Sequence, residues 1–246
     1  MNEPLAQRLR PKTLADVCGQ QHLLAPGRVF RRTIESGRIP NMIFYGPSGT
    51  GKTTVARIIA ENSGMTLHKL NGTSCGTGDI KAVLKDIGTL AGAGGILLYL
   101  DEIQYLNKKQ QQSLLECIED GSVTLIASTT ENPYFAINSP LLSRSQVFPL
   151  EPVPEEELAA LLKRALADAE RGLGASRVDM EEEALNHLAA KADGDARKAI
   201  TALEVAVLST PAGEDGVIHV NLSVAEESIQ RKAIKYDRLG DSHYDT

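Results

Sequence analysis

The sequence predicts an α/β fold with a parallel five-stranded sheet flanked by helices, followed by a smaller unit made of helices. Three observations lead to this fold class. Short apolar segments alternate with amphipathic segments over the first 150 residues, as expected for parallel strands joined by crossover helices. A glycine-rich turn follows the first apolar segment. After the two prolines of LEPVPEEEL (150–158), only helical spacing of apolar residues recurs.

Strands and helices alternate in the first unit. The strands are expected at 41–45, 66–70, 95–103, 122–129 and 145–150. The segment GILLYLDEI (95–103) is almost continuously apolar before its two acids, which is typical of a strand buried on both faces of a parallel sheet. Apolar spacing predicts helices over 53–62, over 79–90 with Asp79 as the N-cap, and over 108–119.

The second unit shows helical patterns only, over about residues 155–171, 181–192, 195–208 and 224–234. This pattern predicts a small all-α lid. We therefore divide the chain into an α/β unit of residues 1–152, a helical lid of residues 153–236 and a tail of residues 237–246. The tail is polar and follows a helix directly, and we expect it to lead into a further domain.

The charge of the chain is uneven. Residues 1–150 carry 15 Lys and Arg against 12 Asp and Glu, whereas residues 151–246 carry 11 against 20. With a net charge of −6, a single chain is not expected to bind nucleic acid non-specifically over its whole surface. The first half can still form a local basic surface.

Cysteine, histidine and hydropathy exclude several classes of protein. The three cysteines and five histidines are scattered without ligand-like spacing, which argues against a metal centre or a disulfide framework. The sequence has no run of about 18 apolar residues and no signal peptide. We expect a cytoplasmic protein without a membrane partner.

The segment Gly46–Thr53 reads G-x-x-x-x-G-K-T between a predicted strand and a predicted helix. Its glycines allow backbone N–H groups to point at phosphate oxygens, and the helix N-terminus adds partial positive charge. Lys52 is expected to reach the β- and γ-phosphates, and the Thr53 hydroxyl to bind Mg²⁺. The predicted ATP-binding residues here are Gly46, Pro47, Ser48, Gly49, Thr50, Gly51, Lys52, Thr53 and Thr54.

Two acids end the strand LLYLDE (97–102). The carboxyl end of a strand is the usual ligand edge of an open α/β sheet. We expect Asp101 to hold Mg²⁺ through water and Glu102 to polarise the water that attacks the γ-phosphate.

Hydroxyl side chains end the next strand, in IASTTEN (126–132). If this strand lies between the other two, Thr130 can position water and sense the γ-phosphate. Thr129 is the alternative, and one residue of register decides between them. Arg144 precedes the last strand and Arg197 lies near the start of a lid helix, where a cation opposes the helix dipole and an anionic partner would offset that cost.

With these residues in place, the chain resembles AAA+ ATPases and, more narrowly, the replication-associated recombination protein A family, which is related to the Werner helicase-interacting protein. The two phosphate-site motifs carry only the superfamily resemblance. The narrower resemblance rests on STTENPYFAINSPLLSR (128–144), GDARKAITALE (194–204), RLRPKTLADVCGQQHLL (8–24) and the tail AEESIQRKAIKYDRLGDSHYDT (225–246).

The resemblance implies residue roles. The segment 8–24 would pack near the adenine, with Val17, Gly19 and Gln20 as nucleotide-binding residues. Cys18 stands where the family usually has Val or Ile, a change that still fits an apolar site. Arg197 would link the lid to the γ-phosphate in cis, and Arg144 would reach the γ-phosphate of a neighbouring subunit.

The resemblance also implies a DNA-dependent ATPase that forms rings or tetramers and acts in recombination and repair at stalled forks and single-strand/double-strand junctions. Its partners would be DNA, further copies of itself and single-strand-binding protein, in the nucleoid. The protein would bind DNA through contacts to the phosphate backbone. The candidate residues for these contacts are Lys81, Lys85, Lys108 and Lys109. The family's C-terminal oligomerisation domain would lie beyond this sequence.

Three other functions compete with this one. A clamp-loader subunit of the replicative polymerase shares every chemical residue named above. A protein-remodelling chaperone would carry an aromatic pore loop after the second strand, but NGTSCGTGDI (71–80) has none. A scaffold without hydrolysis is disfavoured because Lys52, Asp101, Glu102 and Arg144 are all present.

Overall fold

Five parallel strands form the central sheet of the protein, for which a computed structural model describes residues 3–85 and 94–229. The strands are β1 (Met42–Tyr45), β2 (Thr66–Asn71), β3 (Ile96–Asp101), β4 (Val123–Thr129) and β5 (Gln146–Pro149). Their order across the sheet is β2-β3-β4-β1-β5. The predicted fold class is confirmed. Strand β4 lies between β1 and β3, which was the condition for a residue at the end of β4 to position water near the γ-phosphate.

Helices cover both faces of this sheet. They are α1 (Leu5–Arg8), α2 (Gln21–Leu24), α3 (Val29–Glu35), α4 (Lys52–Ser63), α5 (Thr77–Leu84), α6 (Lys108–Glu119), α7 (Pro133–Ala136) and α8 (Ser139–Ser143), with short 3₁₀ helices at Leu14–Asp16 and Ile103–Tyr105. One core packs α4 against one face, and the other core packs α6 against the opposite face.

Alternation along β3 and β4 decides which side chains face α4. Leu97 and Tyr99 of β3 lie in the core on the α4 side, whereas Ile96, Leu98 and Leu100 lie in the core on the α6 side. This is the period of two expected for strands covered on both faces. The side chains that follow in the same phase as Tyr99 therefore turn toward the start of α4.

The predicted helix over 79–90 starts earlier than expected. Helix α5 begins at Thr77 after Gly76, so Asp79 is not its N-cap as predicted. Asp79 instead accepts a hydrogen bond of 2.7 Å from the N–H of Gly76, because a carboxylate in the first turn can reach back to an orphan backbone donor. The rest of this prediction, from residue 86, lies outside the described residues.

The lid contains the first three predicted helices and the start of the fourth, and one feature that the sequence pattern missed. The rest of the fourth prediction, residues 230–234, and the predicted tail lie outside the described residues. The helices are α9 (Glu155–Ala167), α10 (Glu182–Lys191), α11 (Ala196–Ser209) and α12 (Leu222–Ser228). Between them, β6 (Val178–Met180) and β7 (Ile218–Val220) form a two-stranded parallel sheet. Each strand has three residues, too few for an alternating pattern to stand out from the flanking helices.

The N-terminal helix α1 packs against the lid rather than the sheet. Leu5 is fully buried in the lid core, and its backbone N–H donates a hydrogen bond of 2.8 Å to Glu204 of α11. Arg171 donates to the carbonyls of Arg8 and Arg10. The N-terminal segment thus crosses from one unit to the other, which a division at residue 152 does not describe.

Among the described residues, no helix is long and apolar enough to cross a membrane.

Candidate functional site

The glycine-rich loop joins the carboxyl end of β1 to the first turn of α4. Gly46 has φ 151° and Gly51 has φ 100°, conformations that favour glycine. A side chain at Gly46 would collide with the carbonyl of Leu150, since a Cβ there would lie 2.1 Å from that oxygen. Position 46 therefore requires glycine, because the backbone of the loop passes close to the backbone of Leu150.

Lys52 lies buried under this loop. Its Nζ donates to the carbonyls of Gly46, at 2.7 Å, and Pro47, at 2.6 Å. Burial lowers the pKa of Lys52, and the nearby carboxylates of Glu102 and Asp101 oppose that shift. The Lys52 ammonium group donates hydrogen bonds to backbone carbonyls. It would gain an ion pair when a phosphate enters the loop.

A cavity of about 610 Å³ lies between the sheet and the lid. It brings together most of the residues singled out from the sequence. Its lining includes Ser48, Gly49, Thr50, Gly51, Lys52, Thr53, Thr54, Asp101, Glu102, Val17 and Arg197. The wall also includes N-terminal residues such as Pro4, Gln7, Leu9, Arg10 and Asp16, and the α11 residues Ile200 and Thr201.

The cavity wall carries charges of both signs, with the cations Arg10, Lys52 and Arg197 and the carboxylates Asp16, Asp101 and Glu102. Burial lowers the pKa of Arg10, and the neighbouring cations Arg57 and Arg197 lower it further. Cations this close repel one another unless an anion lies between them. The cationic part of the wall is therefore suited to an anion such as a phosphate group, and Arg10 is a member of it that the sequence motifs did not single out.

Asp101 belongs to a buried network of hydroxyl groups. The Tyr99 hydroxyl lies 3.1 Å from Asp101 Oδ1, 2.9 Å from Ser128 Oγ and 3.1 Å from Thr53 Oγ1. Ser128 Oγ also donates to Asp101 Oδ1. Thr53 and Asp101 thus share a hydrogen-bonded neighbour, and their hard oxygen atoms suit Mg²⁺.

Of the hydroxyl residues at the end of β4, Ser128 lies on the same side of the sheet as the site but does not line the cavity. Ile126 of β4 lies in the core on the α4 side, so Ser128 points to that side, while Thr129 points to the opposite face. Thr129 is fully buried, and its Oγ1 accepts a hydrogen bond from the N–H of Glu131. Thr130 follows the strand, is exposed and does not line the cavity.

Glu102 is held in an unusual backbone conformation. Its φ of 55° and ψ of 51° are left-handed, which costs free energy in a non-glycine residue and is common at functional sites. Gln104 Nε2 donates to the Glu102 carboxylate. Because β3 ends at Asp101, this turn places Glu102 at the rim of the cavity beside Lys52.

The lid touches the phosphate loop through the start of α11. Ser48 Oγ donates to Asp195 Oδ2 over 3.0 Å, and the N–H of Ala196 donates to the carbonyl of Gly49 over 3.2 Å. Asp195 is also the N-cap of α11, accepting from the N–H of Lys198. These contacts place Arg197, in the first turn of α11, over the cavity.

Family models match two parts of the chain. The model for the ATPase family associated with various cellular activities (AAA) matches residues 42–150, and that for the AAA C-terminal domain matches residues 174–246. Replication-associated recombination protein A of Bacillus subtilis is 42% identical over 99% of this chain and 57% of its own length. The Escherichia coli K12 protein of that name is 36% identical over 99% of this chain and 55% of its own length.

The chain belongs to the AAA family, in the replication-associated recombination protein A group. It spans about half the length of these curated relatives. ATPase WRNIP1 of Dictyostelium discoideum is 36% identical over 98% of this chain and 29% of its own length. The structure of the Thermotoga maritima RuvB Holliday junction branch migration motor matches with a TM-score of 0.70 and 28% identity, covering 90% of this chain and 72% of that one. As an AAA protein, the chain binds ATP.

Two predicted nucleotide-binding residues of this AAA protein lie behind the cavity wall. Gln20 is buried, and its amide group donates to the carbonyl of Glu151 at 2.7 Å while accepting from the Glu151 N–H at 3.0 Å. The N–H of Gly19 donates to Glu157 over 2.6 Å. Both residues fasten the N-terminal segment to the start of the lid, which holds the neighbouring Val17 in the wall.

Arg144 lies far from the phosphate loop of its own AAA unit. It precedes β5, where Gln146 pairs with Met42 at the amino end of β1, whereas the loop follows Tyr45 at the other end. Four residues of strand span about 13 Å. The Arg144 guanidinium forms an exposed ion pair of 2.7 Å with Glu119 and does not line the cavity.

Proposed function

We propose that the chain hydrolyses ATP in this cavity and that, in the full-length protein, hydrolysis drives remodelling of DNA, or of proteins on DNA, in replication-fork maintenance and recombination. The observation that carries the proposal is the meeting of the phosphate loop, the two acids after β3 and Arg197 in one cavity. The names of the relatives, which refer to replication and recombination, support the cellular role.

In this proposal the loop amides and Lys52 hold the phosphates of ATP, and Arg197 approaches the γ-phosphate from the lid. Val17 and the N-terminal wall enclose the base, with Gly19 and Gln20 fixing that wall. Glu102 accepts the proton of the attacking water. We assign no water-orienting role to Thr130, because it is exposed after β4 and lies outside the cavity lining. A general base of this kind contributes roughly 10²–10⁴-fold to the rate.

We propose that Mg²⁺ accompanies ATP in this site. Thr53 would bind it through its hydroxyl and Asp101 through water. The fit is supported by the oxygen donors of both side chains, which share the Tyr99 hydroxyl as a hydrogen-bonded neighbour. The ion would neutralise charge on the β- and γ-phosphate oxygens.

Arg144 is proposed to act on the ATP of a neighbouring subunit. Its place at the amino end of β1 and β5 keeps it from its own phosphate loop, and its exposed ion pair with Glu119 leaves it available to a second copy. An arginine supplied in trans is worth about 10³–10⁵-fold in rate. The proposal therefore includes an oligomer, with a slow ATPase expected for separated chains.

Mixing two inactive full-length variants, Glu102→Gln and Arg144→Ala, tests this role of Arg144. At a mixed interface, the Glu102→Gln subunit supplies its arginine to the subunit whose Glu102 is intact. We expect part of the ATP hydrolysis to return, as measured by phosphate release. An inactive mixture, with mixed oligomers shown to form, would exclude action in trans.

DNA is proposed to bind on the surface around the start of α6. Lys108 and Lys109 are exposed in the first turn of α6, where their charge opposes the helix dipole. Tyr105, Tyr134 and Phe135 are exposed nearby, since α7 packs against the 3₁₀ helix that ends at Tyr105. Lysines interleaved with exposed aromatic side chains suit a single strand, through backbone contacts and base stacking. Lys81 and Lys85 on α5 are exposed as well.

The experiment that tests the proposed function compares ATP hydrolysis without DNA, with single-stranded DNA and with forked DNA, on this chain and on the full-length protein. We expect stimulation by DNA that is lost in the charge-reversed Lys108→Glu/Lys109→Glu variant. The affinity for single strands should fall with salt, with a log–log slope of about −0.7 per phosphate contact. Hydrolysis that no DNA stimulates would contradict the DNA-dependent part of the proposal, whereas stimulation only in the presence of a sliding clamp would favour a clamp-loader subunit.

A further inference from the structure

The Tyr99 hydroxyl is a buried polar group with three hydrogen-bonding neighbours. Tyr99 is 2% exposed. Its hydroxyl lies 3.1 Å from Thr53 Oγ1, 3.1 Å from Asp101 Oδ1 and 2.9 Å from Ser128 Oγ. The other side chains in the core on this face of the sheet, such as Leu97 and Phe44, are apolar. A phenylalanine would fill the same volume without a polar atom, so the hydroxyl is not required for packing.

Donor counting favours one direction for these hydrogen bonds. An ionised carboxylate only accepts, and each hydroxyl has one hydrogen to donate. Ser128 donates its hydrogen to Asp101 Oδ1. A tyrosine phenol has one hydrogen to donate. If Tyr99 donated to Thr53, its contacts with Asp101 and Ser128 would both lack a hydrogen, so donation from Tyr99 to Asp101 or Ser128 satisfies more groups. In either case, the hydrogen of Thr53 is the one left to point at the Tyr99 oxygen.

This arrangement leaves free the atoms that a cation needs. With its hydrogen directed to Tyr99, the Thr53 hydroxyl turns a lone pair away from Tyr99. Asp101 Oδ1 receives one or two donors from Tyr99 and Ser128, which leaves Oδ2 to accept from a metal-bound water. A hydroxyl cannot bind a cation through the side that carries its hydrogen, so the hydrogen must have an acceptor elsewhere.

We propose that Tyr99, together with Ser128, is a positioning residue that orients Thr53 and Asp101 to bind the Mg²⁺ of Mg·ATP. The inference rests on the proposed ATP site. In addition to the residues that the motifs identify, β3 and β4 then supply the buried hydroxyl groups of Tyr99 and Ser128. These two groups lie behind the proposed metal ligands. Supporting partners behind metal ligands commonly alter metal affinity without touching the ion.

Mg²⁺-dependent nucleotide binding tests this role without any measurement of turnover. A fluorescent non-hydrolysable ATP analogue is titrated into wild type, Tyr99→Phe and Ser128→Ala, first in EDTA and then at increasing Mg²⁺. We expect the affinity in EDTA to stay within about twofold of wild type. The Mg²⁺ concentration that gives half of the metal-dependent gain should rise roughly 2- to 10-fold in Tyr99→Phe, the effect of one lost hydrogen bond.

A matched variant serves as the control. Ser145→Ala removes a serine hydroxyl outside the cavity. This variant should not change the Mg²⁺ titration. Thermal unfolding of each variant in EDTA reports whether the fold is kept, and the double variant Tyr99→Phe/Ser128→Ala should cost less than the two single effects combined, because both hydroxyls serve Asp101.

The possible results separate this inference from the function on which it rests. An unchanged Mg²⁺ titration in Tyr99→Phe, with wild-type binding intact, would overturn the positioning role alone. An equal loss of affinity with and without Mg²⁺ would also overturn it, since it would mean that the hydroxyl only supports the packing. Failure of wild type to bind the analogue at any Mg²⁺ concentration would overturn the proposed ATP site as well.

Discussion

The two walls of the cavity are held in different ways. On the sheet side, Thr53, Asp101 and Ser128 are joined to one another through the buried Tyr99 hydroxyl. On the lid side, Arg197 is exposed, and the start of its helix touches the phosphate loop through one side-chain and one backbone hydrogen bond.

This difference separates residues that must hold still from residues that can move. Side chains locked by buried hydrogen bonds keep a preset geometry, which is what electrostatic stabilisation of a transition state needs. A helix that touches the loop through only two hydrogen bonds, one of them exposed, can leave and return at small cost, as expected for a lid that closes over a ligand. We therefore expect substitutions on the sheet side to affect chemistry and binding strongly, and substitutions at the lid contact to affect mainly the rate of exchange.

The largest effect is expected at Glu102. Glu102→Gln keeps the shape of the side chain and removes the base, so turnover should fall by roughly 10²–10⁴-fold while nucleotide affinity stays close to wild type. Phosphate release and nucleotide titration measure the two quantities. Glu61→Gln, on the exposed surface of α4, is the matched control. Wild-type turnover in Glu102→Gln would remove this residue from the mechanism.

A smaller but clear effect is expected at Lys52. Lys52→Ala removes the buried cation that would pair with the phosphates, and nucleotide affinity should fall by roughly 10- to 100-fold. Isothermal titration with ATP measures the loss, and Lys69→Ala on the exposed edge strand β2 should leave affinity unchanged. If Lys52→Ala binds ATP as tightly as wild type, the phosphates do not lie in the loop.

The smallest effect is expected at the lid contact. Ser48→Ala removes the side-chain hydrogen bond to Asp195 but leaves the capping of α11 intact, because Asp195 still accepts from Lys198. We expect nucleotide release to quicken by roughly 2- to 10-fold, the effect of one hydrogen bond, with little change in the rate of the chemical step.

Stopped-flow displacement of a fluorescent nucleotide measures the release rate. Ser63→Ala, whose hydroxyl donates to the Ala60 carbonyl and accepts from the N–H of Met65, provides the comparison. An unchanged release rate in Ser48→Ala would mean that the lid is held by its packing and not by this contact. A loss of turnover as large as that expected for Glu102→Gln would contradict the distinction between a fixed and a movable wall.

The sequence predicts the parts of the site that depend on local pattern. The phosphate loop and the acids after β3 follow from short motifs whose context is strand, turn and helix, so the order of residues along the chain is enough to assign their places. The helical lid and Arg197 at the start of one of its helices follow from apolar spacing and from a cation in an unfavourable helix position. Within the described residues, the starts of the four lid helices agree with the structure to about two residues.

The residues behind the motifs were not predicted, for a physical reason. Tyr99 and Ser128 are 29 residues apart, and nothing local distinguishes a tyrosine that packs from one whose hydroxyl is shared. A polar ring in an otherwise aliphatic buried strand was the only signal in the sequence. Likewise, the choice between Thr129 and Thr130 left out Ser128, because the side-chain phase of β4 is set by packing against α4 and α6.

The sequence by itself determined the fold class, the five strands of the central sheet and the longer helices along the chain, and the phosphate-loop motif, because each depends on residues that are neighbours in the chain. Only the tertiary structure decided which hydroxyl groups hydrogen-bond to Asp101, which backbone groups the Gln20 amide binds and which unit α1 packs against. It also decided that Arg144 lies at the far end of the strand from its own loop. These are contacts between residues distant in the chain, and they follow from how strands align and how buried polar groups find partners.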